Sequence, residues 1–192
     1  MLFTKDGKKL VRYPRKKKGS AYKIPKGVKT IGAYAFYDFY GPASKQLKKV
    51  TMPDSVKVVE RCAFGALEKL KTVRFSKNLK RIESRAFLLC EITPLKLPNS
   101  LVYIGDECFG IGFMKGNIVI PKNVKEIGAY AINIPTIKNK VVIKSKKLKK
   151  VSPKAVCNNA EGIIVLPKSK KSVYKKLFTK KRLGKKMKFV YK

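Results

Sequence analysis

An aliphatic residue followed five positions later by a bulky apolar residue, itself directly preceded by a small one, occurs six times in this chain of 192 residues. The pairs are Ile31/Phe36, Val59/Phe64, Ile82/Phe87, Ile104/Phe109, Ile127/Ile132 and Val151/Val156. The small residues are Ala35, Ala63, Ala86, Cys108, Ala131 and Ala155. Three positions before each first member stands another aliphatic: Val28, Val56, Leu79, Leu101, Val124 and Leu148. Successive first members lie 28, 23, 22, 23 and 24 residues apart. Units this short cannot bury their own apolar faces, so they must stack on one another as a solenoid. The question of function therefore moves from an enclosed pocket to a surface.

Each unit opens with an alternating apolar pair: Tyr22/Ile24, Val50/Met52, Val73/Phe75, Leu95/Leu97, Ile118/Ile120 and Val141/Ile143, with Ile164/Leu166 opening a last one. Period-two alternation predicts short strands, and the proline that usually follows each pair ends them. Stacked one per coil, they would form a parallel sheet. The Val-x-x-Ile stretch and the following Ala-Phe would form the other side of the coil through short strands and single helical turns. There the small residue falls where the chain turns tightly, and the aromatic stacks on its equivalents.

The two ends read as caps. Asp6-Gly7, flanked by Leu2 to Thr4 and Leu10 to Tyr13, predicts a hairpin over the first coil, followed by a basic loop from Arg15 to Ser20. Near the other end Val173, Tyr174, Leu177 and Phe178 have helical spacing, with Ser169 placed to cap the start and Gly184 to end the helix. Met187, Phe189 and Tyr191 then alternate like a final strand. Caps cover the core and strand edges that a solenoid would otherwise expose. The expected organisation is a single domain, an α/β repeat solenoid rich in strand. Residues 1–21 form the N-terminal cap, 22–161 about six repeats of 22–28 residues, and 162–192 the helix-strand cap.

Lysine and arginine total 47 against 11 acids, for a formal charge of +36, and 40 of the 47 are lysine. Such charge favours disorder when hydrophobicity is low, but here 44% of the residues are apolar and recur in register. Residues 1–49 carry +12, residues 50–137 +5 and residues 138–192 +19, so the excess lies at the ends of the array. The first residues, MLFTKDGKKL, lack the apolar core of a secretory signal, and no stretch has the length of a membrane span. Cys62, Cys90, Cys108 and Cys157 fall in separate repeats without CxxC spacing. Cys108, in the small-residue slot, reads as a buried free thiol, although adjacent coils can bring equivalent positions within bridging reach.

The chain has no histidine, which removes Ser/His/Asp and Cys/His nucleophiles and histidine-containing metal sites. Asp106-Glu107 is the only adjacent acid pair and reads as surface charge. No glycine-rich phosphate loop is present. The expectation is a protein that is not an enzyme and uses no cofactor or metal.

The segments IPKGVKTIGAYAF, MPDSVKVVERCAF, LPNSLVYIGDECF and IPKNVKEIGAYAI resemble the BspA-like leucine-rich repeats of bacterial surface proteins. The ending IKSKKLKKV, LPKSKKSVYKKL and GKKMKF is similar to the closing cap of such proteins from Gram-positive gut anaerobes. The resemblance covers essentially the whole chain. It implies a right-handed leucine-rich-repeat coil with a parallel sheet, an extracellular or cell-surface setting, and a binding or adhesion role toward a protein or glycan. Ile132 and Val156 replace the family's phenylalanine and keep the slot apolar.

If the paired apolar residues point inward, the residue between them points outward. That column reads Lys23, Thr51, Arg74, Lys96, Val119, Val142 and Val165, from polar and basic to aliphatic. It either forms a graded ligand-binding face or, at the valines, fills strand positions covered by a loop or cap. The longer first repeat carries Tyr37, Phe39 and Tyr40 in a Gly/Pro-containing insertion, where aromatics either anchor a partner or fold back on the coil below. The basic C-terminal region, with Lys146, Lys147, Lys149, Lys150, Lys175, Lys176, Lys185 and Lys186, admits a second partner class: teichoic acid, sulfated glycan or another anionic polymer. Nucleic acid is disfavoured because base-reading arginines and aromatics are scarce and tryptophan is absent. A ligand-free spacer within a larger surface protein is the third reading.

Overall fold

In the computed structural model, which describes residues 1–14, 17–110, 116–133, 140–157, 162–179 and 187–192, the Val-x-x-Ile stretches build the longest sheet. Among the described residues eight strands join in it: Leu2–Phe3, Lys9–Arg12, Thr30–Ile31, Val58–Val59, Arg81–Ile82, Tyr103–Ile104, Glu126–Ile127 and Lys150–Val151. The first two are the expected antiparallel hairpin, whose loop passes through Gly7 at φ +67°, a conformation that suits glycine. All later neighbours are parallel and in register, so Leu10, Ile31, Val59, Ile82, Ile104, Ile127 and Val151 form one buried column. The hairpin caps the first coil by pairing Lys9–Arg12 with Thr30–Ile31.

The alternating apolar pairs form the second side of the coil, as expected, but as two sheets. Ala21–Lys23, Lys49–Thr51 and Thr72–Arg74 make one; Ile118–Ile120, Lys140–Ile143, Gly162–Leu166 and Met187–Tyr191 make the other. The strand expected at Leu95–Leu97 belongs to neither. Lys49 and Thr72 each enter their strand by donating a backbone N–H to the preceding coil, to Ser20 and Lys48 at 3.0 and 3.1 Å. The corresponding residue in the next coil is Pro94, which has no N–H to give. Where the post-strand proline is replaced, a serine restores the turn. The Ser76 and Ser145 hydroxyls accept the N–H groups of Asn78 and Lys147, two residues on, at 3.1 and 3.0 Å.

The third side holds the aromatic stack. Phe36, Phe64, Phe87 and Phe109 lie face to face with successive centroid separations of 4.6, 5.0 and 5.5 Å, and Tyr13 of the hairpin extends the stack at 4.8 Å from Phe36. Ile132 and Val156 continue the column as paired strand residues. The small residues beside them are at most 1% exposed, which is why nothing larger than Cys108 occupies that slot. The tight turn falls one residue earlier. Tyr34, Cys62, Arg85, Glu107, Tyr130 and Lys154 all have φ between 50° and 58°, and none is glycine. The first five donate their N–H to the following coil, to Arg61, Ser84, Asp106, Ala129 and Lys154, at 2.7–3.1 Å. These bonds offset a conformation that costs an L-residue about 1 kcal/mol.

The C-terminal cap is a helix and a strand. Lys171–Leu177 is helical after a 3-10 turn at Lys168–Lys170, and Met187–Tyr191 adds to Gly162–Leu166 in parallel. Ser169 is not the expected N-cap: it lies inside the 3-10 turn, and Lys170 precedes the helix without a side-chain cap bond. The Lys168 N–H goes instead to the Lys192 carbonyl at 2.7 Å, tying the turn to the chain end. Gly184 lies outside the described residues. Tyr174 and Phe178 are buried and Leu177 packs on the core, whereas Val173 is exposed.

Candidate ligand-binding faces

Register places Lys23, Thr51 and Arg74 side by side across the three-stranded sheet, pointing away from buried Tyr22, Ile24, Val50 and Met52. Together with Lys26, Pro53 and Asp54 they line a shallow depression of about 670 Å³. Lys96 is exposed in the following coil, on the segment that leaves the sheet. Val119, Val142 and Val165 align in the four-stranded sheet, and Val190 of the final strand continues their row. All four are half-buried. The cap strand therefore lengthens this apolar row instead of covering it. Val190 was not among the expected face residues, although it sits between Phe189 and Tyr191 in the alternation that predicts the strand.

The first-repeat insertion divides its aromatics between the two expectations. Tyr37 folds back, edge-on to Tyr34 at 5.6 Å. Phe39 and Tyr40 point out, 39% and 85% exposed, and touch each other edge-to-face at 4.5 Å. Their loop is held by buried Asp38, whose Oδ2 accepts the Ala43 N–H at 2.8 Å at the start of the short helix Pro42–Gln46.

Lys146, Lys147, Lys149 and Lys150 are exposed on the last coil, where Lys147 Nζ reaches Asn123 Oδ1 at 2.9 Å. Lys175 and Lys176 are exposed in the last turn of the cap helix, where their charge also suits the helix dipole. Tyr174 packs that helix on the turn carrying Lys146 and Lys147, through Ser145 and Leu148. Lys185 and Lys186 lie outside the described residues.

The acids serve mainly as ties within the molecule. Asp106 Oδ1 accepts the Ala129 N–H of the next coil at 2.7 Å. Glu107 receives Arg85 through two bonds of 2.9 and 3.1 Å, the pairing that raises the guanidinium pKa. Glu60 bridges Lys9 and the Ala33 N–H, both at 2.8 Å, and Glu83 takes Arg81 at 2.7 Å. Among the described residues no three His, Cys, Asp or Glu side chains gather where they could hold a metal ion, and no helix is long and apolar enough to cross a membrane.

A family model for the BspA type leucine rich repeat region matches six copies, over residues 39–161 and 115–190. Three solved structures share the fold. The pneumococcal vaccine antigen PcpA superposes with a TM-score of 0.61 at 22% identity, over 99% of this chain and 45% of that one. A leucine rich repeat protein of T. pallidum (TpLRR) gives 0.53 at 22% identity, covering 99% and 95%. A leucine-rich repeat protein from Bacteroides ovatus gives 0.50 at 18% identity, covering 97% and 72%. The chain thus spans less than half the length of the PcpA chain. No curated protein sequence gives a significant match.

Proposed function

Because this chain belongs to the BspA-type leucine-rich-repeat family, we propose that it is a non-catalytic binding or adhesion module that works at a bacterial cell surface. One of its structural neighbours is a vaccine antigen of the pneumococcus, which supports the surface setting. The observation that carries the reading is the outward row of the paired-strand side: cationic around the Lys23, Thr51 and Arg74 depression, then apolar through Val119, Val142, Val165 and Val190. A protein ligand would lay an acidic segment over the first half and an apolar one over the second. Phe39 and Tyr40 would supply aromatic anchors beside it. The rigid stack fixes the spacing of these contacts before binding, which lowers the ordering cost.

The test is a binding screen against extracellular matrix proteins and glycans, followed by the double variant Arg74→Glu and Lys96→Glu. Both side chains are exposed, so the melting temperature should stay close to that of the parent. Binding of a face-directed ligand should weaken by roughly tenfold or more. Unaltered affinity would remove the face from the proposal.

A further inference from the structure

The turn that joins the paired-strand side to the long sheet gathers lysines that lie far apart in sequence. Lys8, Lys29, Lys57, Lys80, Lys125 and Lys149 all precede the outward residue of a long-sheet strand by one position, and all are exposed. Their backbones form a ladder. Lys29 donates its N–H to Lys8, Lys57 to Lys29 and Lys80 to Lys57, then Lys125 to Val102 and Lys149 to Lys125, at 2.7–2.8 Å. Adjacent rungs are therefore about 4.8 Å apart, and Lys29 to Lys149 spans roughly 24 Å along the solenoid axis.

A second row runs beside the first, three residues earlier in each coil: Lys26, Lys77, Lys122 and Lys146, with Asp54 and Asn99 in the remaining coils. Asp54 Oδ1 is occupied by the Lys77 N–H at 3.0 Å. Lys8 sits 3.5 Å from Asp6, whereas Lys29, Lys57, Lys80, Lys125 and Lys149 join no ion pair among the described residues. The acids Glu60, Glu83, Asp106 and Glu107 leave this edge to the lysines by lying past the other end of the long-sheet strands. The one interruption of the ladder is half-buried Val102, in the same coil as Asn99.

The geometry points to this edge as a binding track for an extended sulfated polysaccharide running parallel to the solenoid axis. Two adjacent rows of cations can flank one linear anionic chain. An extended chain of pyranose rings advances by close to one coil per ring, so each sulfate can meet a lysine without the polymer bending. Lysine, a point charge on a flexible stem, suits sulfates whose placement varies along a polymer. No aromatic side chain lies in either lysine row to stack bases, which argues against single-stranded nucleic acid. A flexible phosphodiester polymer would lose more entropy on being held straight. The Lys29 row does not line the depression around Arg74, which the second row meets at Lys26 and Asp54, so the decisive substitutions fall in the Lys29 row.

The experiment is titration of the full chain with a heparin oligosaccharide at several salt concentrations, with poly(glycerol phosphate) and single-stranded DNA of matched charge as competitors. The triple variant Lys29→Gln, Lys57→Gln, Lys80→Gln should keep its circular dichroism, lose roughly tenfold or more in affinity, and flatten the salt dependence by about one unit of slope per contacting lysine. Val102→Lys, which completes the ladder, should bind more tightly than the parent, whereas Val173→Lys, which adds the same charge on the exposed cap helix, should not. Equal effects of Val102→Lys and Val173→Lys would overturn the track in favour of diffuse net charge. Equal or tighter binding of either competitor would overturn the polysaccharide assignment.

Discussion

The Tyr174 hydroxyl donates to the Ser145 carbonyl at 2.9 Å and accepts the Leu148 N–H at 3.1 Å, so one side chain of the cap helix completes two backbone groups of the last coil. Both bonds are buried. In the coils before it the equivalent groups bond directly to each other: the N–H of Val56, Leu79, Leu101 and Val124 goes to the carbonyl of Pro53, Ser76, Pro98 and Pro121 at 3.1–3.3 Å. In the last coil the tyrosine hydroxyl stands between these two groups and bridges them. Tyr174→Phe keeps the ring and strands a buried N–H and a carbonyl, at a cost of about 1–3 kcal/mol. Urea unfolding measures the loss, and hydrogen exchange should place the weakened protection in residues 145–151 before the rest of the array.

Phe64 sits in the middle of the aromatic stack, fully buried between Phe36 and Phe87. Phe64→Ala leaves a cavity whose walls are the two neighbouring rings and should cost about 3–5 kcal/mol. Phe64→Ala and Phe87→Ala share a contact, so their effects should not add in the double variant. Denaturant midpoints of the two single variants and the double variant check this; strictly additive losses would mean the rings act independently.

Gly105 tests how closely successive coils approach just past the long-sheet strand Tyr103–Ile104. A Cβ there would meet the Ser84 backbone nitrogen at 2.5 Å and the Glu83 carbonyl carbon at 2.6 Å, and backbone cannot swing aside as a side chain can. Gly105→Ala should therefore destabilise by about 1–3 kcal/mol. The same approach recurs in the same slot at Gly128, where a Cβ would meet the Asp106 nitrogen at 2.5 Å and the Gly105 carbonyl carbon at 2.6 Å, and at Gly32 against the Leu10 carbonyl oxygen at 2.8 Å, whereas Glu60, Glu83 and Ser152 fill the slot in the other coils. A neutral Gly105→Ala in thermal unfolding would show that the junction opens at little cost.

The core was legible because each slot is filled six times under the same rule: Ile31 and its equivalents, Ala35 and its equivalents and the aromatics all occupy the places their spacing predicts. The left-handed turns were not. Tyr34, Cys62, Arg85, Glu107, Tyr130 and Lys154 have no common chemistry, and their conformation is imposed by the coil stacking. Pro94 was visible, but its effect depends on pairing with Thr72, which only the register reveals. On the surface, counting charge by segment pointed to the chain ends. The lysine edge appears once Lys29, Lys57 and Lys80 are aligned by their backbone bonds, because a column across coils is scattered in a linear count.

Cys90 and Cys108 are buried free thiols, as the small-residue slot predicted for Cys108. Burial pushes the Cys90 thiol up to about 12 and holds Cys108 well above the ordinary thiol range. The Cys90 Sγ–H also points at the Phe64 carbonyl, 3.1 Å away. With the folded pKa raised above an unfolded value of about 8.5, the folded chain keeps these protons at pH values where the unfolded chain has lost them. Their contribution to stability is complete below about pH 8.5 and is lost as pH rises toward the folded values. Across that window each thiol should lower stability by about 1.4 kcal/mol per pH unit. Tyr174, also raised by burial, adds its own loss above about pH 10. Urea unfolding under reducing conditions, from about pH 7 to about pH 11, should show a plateau followed by this decline. Cys90→Ala should be less stable on the plateau yet decline with a slope smaller by one proton; an unchanged slope would mean that Cys90 ionises as readily in the folded chain as in the unfolded one.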